Sequence, residues 1–196
     1  MKEKRMLVGI LLALVVVMGG AYALYTSLGS QVETEHLATQ EGATSETGEE
    51  ETQKMAAPDF TMEDENGDSV TLADYIGKPL VLNFWASWCG PCKSEMPDFD
   101  AAYQELEGEV EFLMVNVTDG SRETLESAKA YVAEQGYTFP VYFDTALEGY
   151  MAYGIQGLPN TFFIDSEGYM VAWANGMLDR TTLEKGIGMI YSGEES

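Results

Sequence analysis

The hydrophobic pattern divides the chain into three unequal stretches. Residues 6–25 (MLVGILLALVVVMGGAYALY) form an uncharged apolar run of about the length that crosses a bilayer. Residues 26–57 are polar, and from residue 58 onward short apolar runs recur between turn residues. Within residues 58–192 this pattern predicts alternating strands and helices. Phe60-Thr61-Met62-Glu63 and Val70-Thr71-Leu72 flank Glu65-Asn66-Gly67-Asp68, the signature of a β-hairpin with an Asn-Gly turn. The unbroken apolar run 80–86 predicts a strand buried on both faces, and 110–117 predicts another. Helices are expected over 91–106, from a cap at Ser121 to Gln135, over 147–153, and from Asp179 or Thr181 onward. A short strand at 141–144 and a hairpin of 161–165 with 169–174, turning at Ser166-Glu167-Gly168, complete the set. Strands alternating with helices predict an α/β domain with a mixed central sheet flanked by helices. No internal repeat is visible.

The flanks of the apolar run decide its orientation. Lys2, Lys4 and Arg5 precede it and acidic sequence follows, so the positive-inside tendency keeps the N-terminus cytoplasmic and exports the rest. Residues 1–25 are therefore expected to be a single-pass signal-anchor in the cell membrane, with the folded domain on the extracytoplasmic side. A cleaved signal peptide is the competing reading, because Ala21-Tyr22-Ala23 has the small-residue spacing of a processing site. The apolar run continues past that site, which favours the anchor. No cysteine follows the run, so a lipoprotein anchor is excluded. Residues 26–57, rich in Glu, Thr and Gly, hold too little apolar surface to offset the entropy of ordering. They are expected to be an acidic disordered tether, the alternative being an acidic binding tail.

Charge and rare residues then remove whole classes of function. With 10 basic and 33 acidic residues the formal net charge is −23, which repels phosphate backbones and excludes nucleic-acid binding. The chain has one histidine, His36, outside the expected domain, which removes Ser–His and Cys–His hydrolase chemistry. Both of its cysteines fall within Cys89-Gly90-Pro91-Cys92, so none is left for a structural disulfide. Two thiolates also fall short of the four ligands that a structural zinc site takes.

That motif carries the chemistry. A Cys-x-x-Cys between a buried strand and a helix puts Cys89 at the helix N-terminus, where unpaired N–H groups and the dipole favour a thiolate. Cys92 comes one turn later, within bonding reach, and Pro91 suits the first turn because it forfeits no helical hydrogen bond. Cys89 is thus expected to attack a substrate disulfide and Cys92 to resolve the mixed disulfide. An ordinary buried cysteine pair or half a metal site is the bland alternative, and the strand-to-helix context with Trp88 before it argues against that.

The segment NFWASWCGPCKSEMPDF resembles the active-site segment of the thioredoxin superfamily, and specifically of the TlpA/ResA-type thiol–disulfide oxidoreductases. The APDF…L hairpin, the KPLVLNFWASWC strand and GLPNTFFID with its following hairpin extend the resemblance over the whole domain. It implies a thioredoxin-like fold with an added N-terminal β-hairpin and an insertion before a cis-proline segment. Pro159 matches that cis-proline, which would turn Leu158 towards the thiols and let its backbone pair with an extended substrate. Where thioredoxins carry an aspartate beneath the site, this chain has Asn83, which cannot exchange protons. Glu95 follows Cys92 by three residues and matches the acidic residue of TlpA/ResA-type proteins. Spacing alone reads it as a solvated helix residue, whereas the resemblance makes it a proton carrier for Cys92. Trp88 is expected to shape the site and shelter Glu95 together with the Pro159 loop. Trp85 is equally well explained as core, and Pro97 should kink the helix.

The resemblance also implies membrane-anchored reducing activity outside the cytoplasm. Its substrates would be oxidised exported proteins, apo-cytochrome c among them, and its electrons would come from a membrane thiol donor of the CcdA/DsbD kind. No cofactor is expected beyond the redox-active Cys89–Cys92 disulfide, and no metal. A disulfide-forming oxidant is the rival within the class. The Gly-Pro dipeptide resembles thioredoxin, at about −270 mV, rather than the strong oxidant DsbA, at about −120 mV. A copper-binding assembly factor would need a further His or Met ligand facing the pair, and the domain has no histidine. A peroxidase of the peroxiredoxin type would need a separate Thr-x-x-Cys segment, which is absent.

Overall fold

The computed structural model describes residues 37–39, 54–106 and 108–193. The apolar segment 6–25 lies outside them, and no helix among the described residues is long and apolar enough to cross a membrane. Among the described residues nine strands form one sheet: β1 (Leu37–Thr39), β2 (Met55–Ala56), β3 (Thr61–Glu63), β4 (Ser69–Thr71), β5 (Leu80–Trp85), β6 (Glu111–Asn116), β7 (Val141–Phe143), β8 (Asn160–Ile164) and β9 (Tyr169–Asn175). The helices among the described residues are α1 (Gly90–Glu105), α2 (Leu125–Gln135), α3 (Glu148–Ala152) and α4 (Arg180–Ile190).

The strand order is β1-β9-β8-β5-β6-β7-β3-β4, with β2 also on β9. β5 runs parallel to β6 and antiparallel to β8, so the sheet is mixed, as expected. The β3–β4 hairpin joins the far edge through Glu63 and Phe143. The segment carrying α3 intervenes between β7 and Pro159.

Every residue of β5 is buried, but the two faces differ. Leu80, Leu82 and Phe84 pack with Phe60, Met62 and Leu72, while Val81 and Trp85 pack with Met96, Phe99 and Leu183. Each large side chain buried in this way contributes roughly 2 kcal/mol. Because side chains alternate along a strand, Asn83 shares the face of Val81 and Trp85, the face covered by α1 and α4. A glycine brings α4 close: a Cβ at Gly186 would stand 2.2 Å from the Phe163 ring. A polar side chain is thus held in the middle of an apolar layer beneath α1.

Three expectations need correction. The stretch 26–57 is not all spacer: Leu37–Thr39 and Met55–Ala56 pair antiparallel with β9, and Leu37 is buried. Strands this short on an edge leave no periodicity to read. Ser121 does not cap α2. Asp119 Oδ1 instead accepts the N–H groups of Ser121, Arg122 and Glu123, which turns the chain there. Thr124 is the cap, accepting from Ser127 N–H at 3.1 Å. Finally, the 3₁₀ turn Leu72–Tyr75 replaces the end of the second hairpin strand.

Candidate active site

The site is built where β5 feeds α1. Cys89 is the N-cap of α1, and its Sγ accepts from the N–H of Cys92 at 3.3 Å. A backbone donor aimed at this sulfur stabilises negative charge on it, as the helix N-terminus does. Gly90 and Pro91 form the exposed first turn, and Cys92 closes the disulfide with Cys89 across a Cα–Cα distance of 5.3 Å. Cys89 is only 4% exposed and Cys92 is 0% exposed. Both sulfurs sit within the cluster of Trp85, Ala86 and Leu178. The exposed side chain is Trp88, at 39%.

Glu95 is not a solvated helix residue. It is 1% exposed, on the same buried stripe of α1 as Cys92, Met96 and Phe99. One carboxylate oxygen accepts from Asn83 Nδ2 at 2.9 Å and the other from the Leu178 N–H at 2.8 Å. Burial disfavours its charge and outweighs those two hydrogen bonds, so its pKa rises to about 7. A carboxyl that exchanges its proton near neutrality therefore lies one helical turn beyond Cys92. Asn83 spends its second N–H on Thr161 Oγ1 at 3.0 Å, across the β5–β8 pair. The buried Asn83 Oδ1 and Trp85 Nε1 have no hydrogen-bond partner among the described residues.

The cis peptide bond falls between Leu158 and Pro159, as the resemblance implied. β8 begins only at Asn160, so Leu158 stands outside the sheet ladder, half-buried against both core layers. A cavity of about 490 Å³ opens beside it, lined by Gln156, Gly157, Leu158, Pro159, Asn175 and Gly176. Gly176 N–H donates to the Pro159 carbonyl at 2.9 Å, and two residues on Leu178 N–H reaches Glu95. One short segment therefore ties the cis-proline to the buried carboxylate. The Trp88 ring is partly exposed and stacks with Arg122, whose guanidinium carbon is 3.4 Å from the centroid. Trp85 is core. α1 continues through Pro97.

A second buried acid went unread in the sequence. Glu123 is 0% exposed. It accepts from Ser87 N–H at 3.1 Å, Ser87 Oγ at 2.9 Å and Asn116 Nδ2 at 3.2 Å. It thereby fastens the loop that carries Trp88 and Cys89 to the end of β6. Among the described residues, no group of three or more His, Cys, Asp or Glu side chains could hold a metal ion.

A disulfide at the cap of a helix, a cis-proline leading into the strand beside β5 and a mixed sheet define a thioredoxin-fold thiol–disulfide oxidoreductase. Known proteins agree. A sequence model of the AhpC/TSA family matches residues 54–172. Thiol-disulfide oxidoreductase ResA of Bacillus subtilis (strain 168) is 34% identical over 200 residues, covering 100% of this chain and 99% of that protein. ResA of Geobacillus kaustophilus is 32% identical and covers 94% of this chain and 95% of that one. Among solved structures, a putative thiol:disulfide interchange protein DsbE from Chlorobium tepidum superimposes with TM-score 0.61 at 29% identity, over 68% of this chain and 94% of that chain. StoA from Bacillus subtilis gives TM-score 0.58 at 25% identity, over 66% and 96%. The chain belongs to the AhpC/TSA family and, within it, to the ResA-type thiol–disulfide oxidoreductases.

Proposed function

We propose that the protein is a membrane-tethered protein-disulfide reductase acting outside the cytoplasm on oxidised exported proteins, apo-cytochrome c among them. The observation that carries the proposal is the pairing of a helix-capping Cys89 sulfur with a buried Glu95 of near-neutral pKa one turn past Cys92. In the reduced enzyme the Cys89 thiolate attacks one sulfur of a substrate disulfide and expels the other as a thiolate, which takes up a proton. Cys92 gives its proton to the Glu95 carboxylate and attacks Cys89 Sγ. The second substrate thiol leaves, and two electrons have passed to the substrate. A membrane thiol donor of the CcdA/DsbD kind reduces the Cys89–Cys92 disulfide again, with no other cofactor. Leu158, outside the β8 ladder, offers its backbone to an extended substrate segment, and Trp88 borders the approach.

The Gly90-Pro91 dipeptide and the extracytoplasmic topology read from residues 1–25 support the reducing direction. Trapping tests the assignment. Cys92→Ser should accumulate mixed disulfides with exported proteins in living cells, and Cys89→Ser should abolish insulin reduction. Preferential alkylation of Cys92 in the reduced protein would reverse the two roles, and full turnover in both variants would end the proposal. Redox equilibration should give a potential nearer about −270 mV than about −120 mV, and the opposite would make the protein an oxidant. Protease added to intact spheroplasts should release the domain, and a domain protected until lysis would refute the topology.

A further inference from the structure

Cations are scarce in this chain, 10 against 33 acids, and where they sit is informative. Lys54, Lys78 and Arg180 are each engaged by carboxylates of the domain. Two cations that lie against or within the active-site segment are held differently. Lys93, directly after Cys92, has its ammonium 5.2 Å from the Tyr131 ring centroid. Arg122 lies over Trp88, the residue before Cys89, at 3.4 Å. Neither has a carboxylate within ion-pair distance among the described residues, although Asp119, Glu123 and Glu126 are close in sequence.

The reason lies in the loop. Asp119 Oδ1 is taken up by three successive backbone N–H groups, including that of Arg122 at 2.8 Å. The Glu123 carboxylate is buried and occupied by Ser87 and Asn116. Both neighbouring acids are thus engaged within the loop and its anchors, and Asp119 holds the Arg122 backbone in the turn. A guanidinium stacked flat on an indole keeps its N–H donors in its own plane, free to grip a carboxylate from outside. Trp88 and Arg122 are both exposed, so the stack stands at the surface on the residue that precedes Cys89.

We infer that the Trp88–Arg122 stack is a specificity element that selects substrates whose reactive cysteine is flanked by a carboxylate side chain. The inference rests on the reductase reading. The net charge of −23 works against an acidic segment at long range, so the preference has to come from this local cation.

The test uses the full chain, reduced with dithiothreitol and freed of excess reagent. It is mixed in single turnover with three disulfide-linked peptide dimers that differ only in Glu, Gln or Lys beside the cysteine. Each turnover oxidises one Cys89–Cys92 dithiol and yields two peptide thiols. Relative to wild type, Arg122→Gln should lower the Glu-to-Gln rate ratio about fivefold, the scale of an exposed charge pair. Arg122→Glu should favour the Lys peptide over the Glu peptide. Arg122→Lys should retain part of the preference, and 1 M salt should erase it. A variant that slows all three peptides equally acts on the thiolate or the loop and overturns the inference, as does an unchanged ratio. Failure of the wild type to reduce even the Gln peptide overturns the reductase reading, and this inference with it.

Discussion

Two glutamates are buried on either side of the active-site loop, and they do different work. Glu95, 1% exposed, accepts two hydrogen bonds, from Asn83 and from the Leu178 N–H. Glu123, 0% exposed, accepts three, two of them from Ser87 in the loop itself. Glu95 lies on the helix that carries both sulfurs, where under-compensated burial lifts its pKa to about 7. Glu123 lies off that helix, and each of its bonds joins two chain segments. Burial alone therefore does not give a carboxyl its role. What sets Glu95 apart is its place one helical turn past Cys92, under desolvation that its two donors do not offset.

The sharpest way to break this contrast is to remove Glu123. Glu123→Ala leaves the Ser87 N–H, the Ser87 hydroxyl and the Asn116 amide without their acceptor, which should cost about 3 kcal/mol of stability in denaturant unfolding. The pH dependence of thiol alkylation should keep its midpoint. A variant of wild-type stability with a displaced midpoint would exchange the roles of the two acids.

Next in size is the linkage of Glu95 to stability. Its folded pKa, about 7, lies above its ordinary value of 4.5, so between those limits the folded state binds more protons than the unfolded state. Stability from this group is present in full below about pH 4.5 and is lost as pH rises through about 7. The fall is about 3 kcal/mol. Glu95→Gln should flatten this slope between pH 5 and pH 8 in the oxidised protein. The same variant should lower the thiol pKa values and slow insulin reduction. Superimposable pH profiles for wild type and variant would reduce Glu95 to a packing residue.

The sequence made these two acids unequally legible. Helix-start chemistry is local, so the Cys-x-x-Cys, the capping position of Cys89 and the i+3 spacing of Glu95 could all be read from adjacent residues. The partners that raise Glu95 above a surface glutamate could not. Leu178 is 83 residues away from it, and Thr161 is 78 residues from Asn83. Glu123 stands in the polar run Asp119-Gly120-Ser121-Arg122-Glu123-Thr124, where nothing separates it from solvated neighbours. Only the close of that loop against Ser87, 36 residues back, buries it. The main strands and helices followed from their hydrophobic runs. The short edge strand at Leu37 did not, since one apolar residue in a polar stretch carries no period.

Asn83 sharpens the account of Glu95 further. Its Nδ2 donates to the carboxylate and so holds the pKa below the value that burial alone would set. Asn83→Leu removes that donor without adding a charge. The midpoint of the Glu95-dependent stability profile should then move upward by about one pH unit, the scale of one hydrogen bond to a charged group. A midpoint that stayed in place would mean that the Leu178 N–H alone sets the charge of the site.

The smallest effect is expected one step further out, at Thr161. Its Oγ1 accepts the other N–H of Asn83 across the β5–β8 pair, and its residue is fully buried. Thr161→Val keeps the branched shape and the strand preference but leaves that amide hydrogen without an acceptor. Asn83 would still be fixed by Glu95, so the carboxylate keeps both of its donors while the amide between them becomes less constrained. Global stability should fall by about 1 kcal/mol, and the Glu95 midpoint should move by less than half a pH unit. The measurement is the same pH series of unfolding curves, run beside Asn83→Leu. If Thr161→Val shifted the midpoint as far as Asn83→Leu does, the amide would need both partners to keep its orientation, and the carboxyl would be tuned by the whole β5–β8 pair. A small shift would confine the tuning to the direct donors of Glu95.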